Sequence, residues 1–150
     1  MAKSEYWFKH RFRVRYAEVD AQGIVFFGNY ATYFDAAHNE YMRALPFDYK
    51  GSLEAYNTDF VIVNMETDYL SPARFDDEIE VYVRTAYIGR SSMRVRFEVY
   101  VVESETLLTS SQFVVVNTDQ ASMKSIPWPE HLVRKITERE ILPVERPQIA

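Results

Sequence analysis

One carboxylate is set apart by its surroundings. The segment Tyr16-Ala17-Glu18-Val19-Asp20-Ala21-Gln22-Gly23-Ile24-Val25-Phe26-Phe27-Gly28-Asn29-Tyr30 carries Asp20 through a glycine-bearing turn to the start of an apolar helix. Unpaired backbone N–H groups and the positive end of the helix dipole stabilise anions at such a place. Both an ionised Asp and the oxyanion forming from a carbonyl would benefit. That combination suits a carboxylate acting as base or nucleophile at an acyl carbon. The same residues also have a purely local reading, with Asp20 as a turn former and Asn29 as a helix N-cap. Spacing alone leaves both readings open.

Other chemistry has less support. The chain has no cysteine, which excludes disulfides, thiolate metal sites and Cys nucleophiles. His10, His38 and His131 are far apart without partners at metal-ligand spacing, and there is no Gly-x-Ser-x-Gly elbow. His38 and Glu40 flank the apolar stripe of the helix, from where they can reach a pocket rim or simply edge the stripe. With 17 Lys and Arg against 22 Asp and Glu, the formal charge is −5. That argues against nucleic acid as a partner. Lys9, His10, Arg11, Arg13 and Arg15 interrupt the N-terminus before any signal-peptide core can form. No run approaches the ~20 apolar residues of a membrane span. A cytoplasmic protein without membrane contact is expected.

The elements that must position Asp20 follow from periodicity. Residues Tyr6 to Tyr16 alternate apolar and basic, the signature of a half-buried strand. From Tyr30 to Leu45, helical spacing gathers Tyr30, Tyr33, Phe34, Ala37, Tyr41, Ala44 and Leu45 on one face, and Pro46 ends the helix. Residues 47–59 read as a polar, mobile connection. Strands are expected over Phe60 to Leu70, Glu78 to Ile88, Ser92 to Val102 and Leu107 to Thr118, joined by short turns. A short helix, Glu130 to Arg139, should turn Leu132, Val133 and Ile136 inward. The order gives an α+β fold and one domain over residues 1–150, with its core at about 5–140 and a flexible tail over 141–150. Apolar residues on both faces of the last two strands, Tyr100, Val102, Val114 and Val116 among them, predict that subunits pack together.

Asp20-x-x-Gly23-Ile24-Val25-x-x-x-Asn29-Tyr30 closely resembles the motif of the 4-hydroxybenzoyl-CoA thioesterase family of hot-dog proteins. The likeness continues in order through Tyr16-x-Glu18-x-Asp20, the helix Phe34 to Leu45, Asp68-Tyr69-x-x-Pro72-Ala73, Asp77-x-Ile79-x-Val81, Gly89-Arg90-Ser91-Ser92 and Pro127-x-Pro129-Glu130. It covers about residues 8 to 138. The resemblance implies a hot-dog fold, a curled antiparallel five-stranded sheet wrapped around one long central helix, with a short C-terminal helix. It implies hydrolysis of a small or medium acyl-CoA, aromatic acyl groups included, to the free acid and CoA.

Roles are implied residue by residue. Asp20 matches the catalytic carboxylate, nucleophile or general base, the backbone N–H of Phe27 matches the oxyanion donor, and Gly23 permits the turn. Val25, Asn29, Tyr30, Phe34, Phe60 and Tyr69 fall in the substrate-binding set, although core packing explains the aromatic four equally well. Arg90, Ser91 and Lys124 match places that meet the CoA phosphates, with solvated turn charges as the plain alternative for the two cations. In the Tol-Pal-associated branch a His commonly stands where this chain has Phe27. No metal or organic cofactor is implied, since CoA belongs to the substrate. The resemblance further implies a homodimer or a homotetramer built as a dimer of dimers, with the site at the dimer interface. A thioesterase for acyl carrier protein is the near alternative, because both substrates present the same phosphopantetheine arm. A non-catalytic dimer that binds acyl thioesters or serves as a scaffold is the alternative of another class.

Overall fold

In the computed structural model, which describes residues 2–48, 50–51, 55 and 58–148, alternation in sequence becomes alternation in burial. Along β1 (Phe8–Arg13), Phe8, His10 and Phe12 are half-buried while Lys9, Arg11 and Arg13 are exposed, as a pleat with one covered face requires. Four longer strands follow: β2 (Thr58–Tyr69), β3 (Glu78–Ile88), β4 (Ser92–Val101) and β5 (Leu107–Asp119). All five form one antiparallel sheet of order β1-β3-β4-β5-β2. Its edges are therefore β1 and β2.

Helix α1 (Asn29–Ala44), 16 residues and thus ~24 Å long, lies on the inner face of this sheet. It buries Tyr30, Tyr33, Phe34, Ala37, His38, Tyr41 and Met42. Phe34 is fully buried, its ring 5.0 Å from Phe97 and 5.9 Å from Phe113, a placement that stabilises by about 1.5–3 kcal/mol. The stripe differs from the expected one at three places, one of them the added, buried Met42. Ala44, at the last helical position, is exposed, whereas His38 is 4% exposed between Tyr41 and Phe60. Burial pushes the His38 imidazole down to about 4, so it is neutral near pH 7 and packs as a ring. It is not on a pocket rim. Helix α2 (Glu130–Arg139) adds Leu132 and Ile136 to the same core, and Val133 is half-buried against it. No helix among the described residues is long and apolar enough to cross a membrane.

The outer face of the sheet is not the apolar surface expected from β4 and β5. Tyr100 is covered by Tyr6 and Tyr82, with the Lys3 ammonium 4.4 Å from its ring. Val102, Val114 and Val116 are half-buried. Arg94 and Arg96 are exposed around them. The exposed apolar side chains lie instead on the edge strand β2, at Ile62, Val63 and Met65. The sheet register pairs Ile62 with Val115 and Met65 with Phe113, so both share the core-side pleat, beyond the reach of α1. Of the connection over 47–59, residues 49, 52–54, 56 and 57 lie outside the described residues.

The tail, expected to be frayed, is tied to the sheet. The Glu145 N–H donates to Ala86 O and the Ile88 N–H donates to Glu145 O, both at 3.0 Å. This covers the end of β3 that β1 leaves open, since the pairing of β1 with β3 stops at Val83. Just upstream, buried Glu140 joins four elements. Its Oε1 accepts hydrogen bonds from Tyr41 Oη at 2.8 Å, Trp7 Nε1 at 2.9 Å and the Thr85 N–H at 3.1 Å, while Oε2 is buried without a partner. Burial raises its carboxyl above the ordinary 4.5, against the opposing effect of those donors.

Glu140→Ala should lower stability by about 2 kcal/mol or more, because the buried Thr85 N–H and the half-buried Trp7 indole lose their acceptor, while Tyr41 Oη keeps Thr85 Oγ1 as a partner. Urea denaturation measures it. For Glu140→Gln the sign depends on pH. A carboxyl raised in the folded state gives its full stabilisation below the ordinary carboxylate range and loses it as pH rises through the raised value. The stability of Glu140→Gln relative to wild type should therefore improve from pH 4 to pH 7. A pH-independent difference would contradict this reading of Glu140.

Candidate active site

Asp20 sits in a tight hairpin. Val19 and Val25 bridge, the Asp20 N–H donates to Ile24 O at 2.8 Å, and the Gly23 N–H returns to Asp20 O at 2.9 Å. Gly23 has φ +77°, a left-handed conformation that costs side-chain-bearing residues about 1–2 kcal/mol. Within the turn, Asp20 Oδ1 accepts the Gln22 N–H at 2.8 Å. The turn-forming reading of Asp20 is thus realised by one oxygen, and Oδ2 accepts no hydrogen bond among the described residues. The hairpin is held against the segment after β2 by the Val25 N–H to Ala73 O, 2.9 Å, and by a bridge between Ile24 and Arg74.

Entry to α1 is fixed from Glu18. Its carbonyl accepts the Phe26 N–H at 2.9 Å and Asn29 Nδ2 at 2.8 Å. Burial works to raise the Glu18 carboxyl, yet hydrogen bonds from the Arg15 N–H and guanidinium outweigh it and hold the group below the ordinary range. Asn29 is therefore not the N-cap. Gly28 occupies that position with no side-chain cap bond, and a Cβ there would meet the Phe26 ring at 2.9 Å. The N–H groups of Phe27 and Gly28 have no partner among the described residues, as expected at an uncapped helix start.

A cavity of about 370 Å³ opens between the hairpin, this helix start and the end of β2. Asp20, Gln22, Val25, Phe27 and Tyr30 line one side, and Tyr69, Leu70, Ser71 and Pro72 the other, with Ile24 between. Asp20 is the one carboxylate on its wall. Tyr69 Oη donates to Phe27 O at 3.3 Å, and its ring meets that of Tyr30 edge-on at 5.6 Å. Burial raises the Tyr30 hydroxyl, keeping it protonated.

The structure brings together Asp20, Val25, Phe27, Tyr30 and Tyr69 from the expected set, with Gly23 and Asn29 fixing the backbone behind them. Phe34 is in the core instead and does not line the cavity. Phe60, Arg90, Ser91 and Lys124 cluster at the opposite end of the sheet. Phe60 pairs with Asn117, whose N–H donates to Ser91 O, and the Asp119 N–H donates to Lys124 O. Nine residue steps along β2, ~30 Å, separate Phe60 from Tyr69. Arg90 and Lys124 are exposed and make no ion pair among the described residues. Sequence reasoning missed Gln22, Ile24, Leu70, Ser71 and Pro72 as cavity residues. The available signal was the end of the strand pattern at Leu70 beside Pro72, which turns the chain under the Asp20 hairpin.

A family model described as the thioesterase superfamily matches residues 22–108. The acyl-CoA thioester hydrolase YbgC of Escherichia coli O6:H1 is 30% identical over 132 residues, covering 87% of this chain and 96% of that protein. Among solved structures, a 1,4-dihydroxy-2-naphthoyl-CoA thioesterase from Synechocystis superposes with a TM-score of 0.78 at 19% identity, over 86% of this chain and 94% of that one. A Staphylococcus aureus protein in complex with CoA gives 0.81 at 17% identity, over 95% and 87%.

Proposed function

This chain belongs to the thioesterase superfamily of thioester hydrolases, and from that premise we propose that it cleaves an acyl-CoA to the free acid and CoA in the cavity beside Asp20. The observation that carries the reading is a division of labour at one residue. Asp20 Oδ1 is fixed by the Gln22 N–H, Oδ2 and the Phe27 N–H have no hydrogen-bond partner among the described residues, and Phe27 shares the cavity wall. As general base, Asp20 takes a proton from water while the water oxygen adds to the thioester carbon. The oxyanion so formed is stabilised by the Phe27 N–H. Its collapse breaks the C–S bond and expels the CoA thiolate, which takes up a proton. As nucleophile, Asp20 would instead attack the thioester carbon, break the C–S bond with loss of the CoA thiolate and form a mixed anhydride, which water opens to the free acid and the Asp20 carboxylate. Neither route needs a metal or an organic cofactor.

Rings of Phe27, Tyr30 and Tyr69 around the cavity favour a small or medium acyl group and accommodate an aromatic one. Together with the Asp20-x-x-Gly23 motif, this supports a place near the 4-hydroxybenzoyl-CoA thioesterases. The exposed core-side residues of β2 support a dimer. Ile62 and Met65 are each 45% exposed on a 12-residue edge strand, a surface that invites pairing. Antiparallel pairing of β2 with the same strand of a second copy sets the start of one strand beside the end of the other. Arg90 and Lys124 of one copy would then approach the cavity of the other, which accounts for their distance from Asp20 within a chain. A dimer of such dimers gives the tetramer.

Thiol release across a panel of acyl-CoA substrates tests the activity, and no turnover on any member would overturn it. If Arg90 and Lys124 hold the CoA phosphates, Ala at either should raise KM for acyl-CoA and leave kcat near wild type. Acyl-pantetheine lacks those phosphates and should hardly respond. Light scattering should find at least a dimer, and a 17.7 kDa monomer would sink the shared site.

A further inference from the structure

A second cavity, of about 440 Å³, lies on the outer face of the sheet under the C-terminal tail. Arg84, Arg94, Arg96 and Gln112 form its polar side, and Leu142 and Pro143 part of its wall. The register explains the convergence. Arg84 pairs directly with Arg96, and Arg96 with Gln112, in one row across β3, β4 and β5. Like charges opposite one another in a sheet destabilise it. None of the three arginines makes an ion pair among the described residues, although Glu98, two residues along β4 from Arg96, shares this face, and the charge of Arg84 works against the burial that raises the Glu140 carboxyl.

Arg84 is the sharpest case. It is 7% exposed, and its Nε is buried without a hydrogen-bond partner among the described residues. A desolvated guanidinium with an unmet donor is costly. Arg94 is steadied beside it, its guanidinium 4.7 Å from the centroid of the Tyr87 ring. Glu145 is the one carboxylate among the lining residues, against three arginines, while Glu66 and Asp68 share a neighbouring cavity with Arg96 and Gln112.

We propose that this row of arginines under the tail is a binding site for a phosphate-type oxyanion, separate from the Asp20 cavity. Planar guanidinium forks bind phosphate oxygens in pairs, and Gln112 adds neutral donors. The apolar wall of Tyr87, Leu142 and Pro143 leaves room for an organic remainder. The ligand can thus come from free inorganic diphosphate or from the diphosphate of a nucleotide. The site does not depend on the thioesterase reading, and it survives if that reading fails.

Isothermal titration of the full chain with pyrophosphate, and in parallel with ADP, tests the proposal. Saturable binding is expected that weakens about tenfold or more in Arg94→Gln and Arg96→Gln and persists in an Arg90→Ala, Lys124→Ala background, which removes the phosphate contacts proposed for CoA. Both arginines are exposed, so these variants keep the fold, as circular dichroism will verify. Tighter binding of ADP than of pyrophosphate points to a nucleotide, and equal binding to the free anion. No heat with either ligand at millimolar concentration would overturn the proposal. So would equal affinity in the two variants, or an equal loss in Arg90→Ala. Glu66 and Asp68 lie on the same outer face. If the arginine variants dissociate the assembly while neither ligand binds wild type, the face belongs to a second copy and the oxyanion site is refuted.

Discussion

Burial of the aromatic side of α1 against the inner face of the sheet is the constraint from which the rest follows. Tyr30, Phe34 and Tyr41 cannot slide along the sheet without exposing rings that meet Phe97, Phe113, Trp7 and Phe8. The helix start is therefore set by packing and not by a cap. Gly28 supplies no side chain at the cap position, and the Glu18 carbonyl engages Phe26 and Asn29, leaving the Phe27 and Gly28 N–H groups free. An unmet pair of donors beside a cavity is a cost to the fold. It is also what an oxyanion site requires.

The Asp20 hairpin depends on the same packing at one remove. Ala73 is fully buried and accepts the Val25 N–H, so the segment after β2 anchors the turn that presents the carboxylate. Local turn chemistry and reaction chemistry are then compatible in one residue, because Oδ1 satisfies the turn and Oδ2 is left over. This is how the turn-former and the catalytic readings, alternatives at the level of sequence, coexist in the folded chain.

Period-two and helical patterns marked faces well. β3 and α2 have the bounds that periodicity gives, Glu78–Ile88 and Glu130–Arg139, because Gly89 and Pro129 terminate them sharply. Periodicity does not tell which covered face is covered by what. Tyr100 and Ile62 are both apolar strand residues, yet the first lies under the N-terminal arm and the second is open at an edge. Nor does sequence order reveal which end of a strand faces a site. Tyr69 and Phe60 belong to the same strand, but only Tyr69 reaches the cavity. His38 shows the same limit in a helix, since a position at the margin of an apolar stripe becomes core when an aromatic strand residue closes over it.

The central claim is that Asp20 performs the chemistry, and the Asp20→Asn variant tests it most directly. Asn keeps the Oδ1 acceptor for the Gln22 N–H, so the hairpin, the circular dichroism spectrum and acyl-CoA affinity should be retained. It loses the charge that attacks carbon or accepts a proton. At saturating acyl-CoA, kcat should fall by roughly 10²–10⁴-fold. A correctly folded variant that keeps most of its turnover would contradict the assignment and return Asp20 to the role of a turn former.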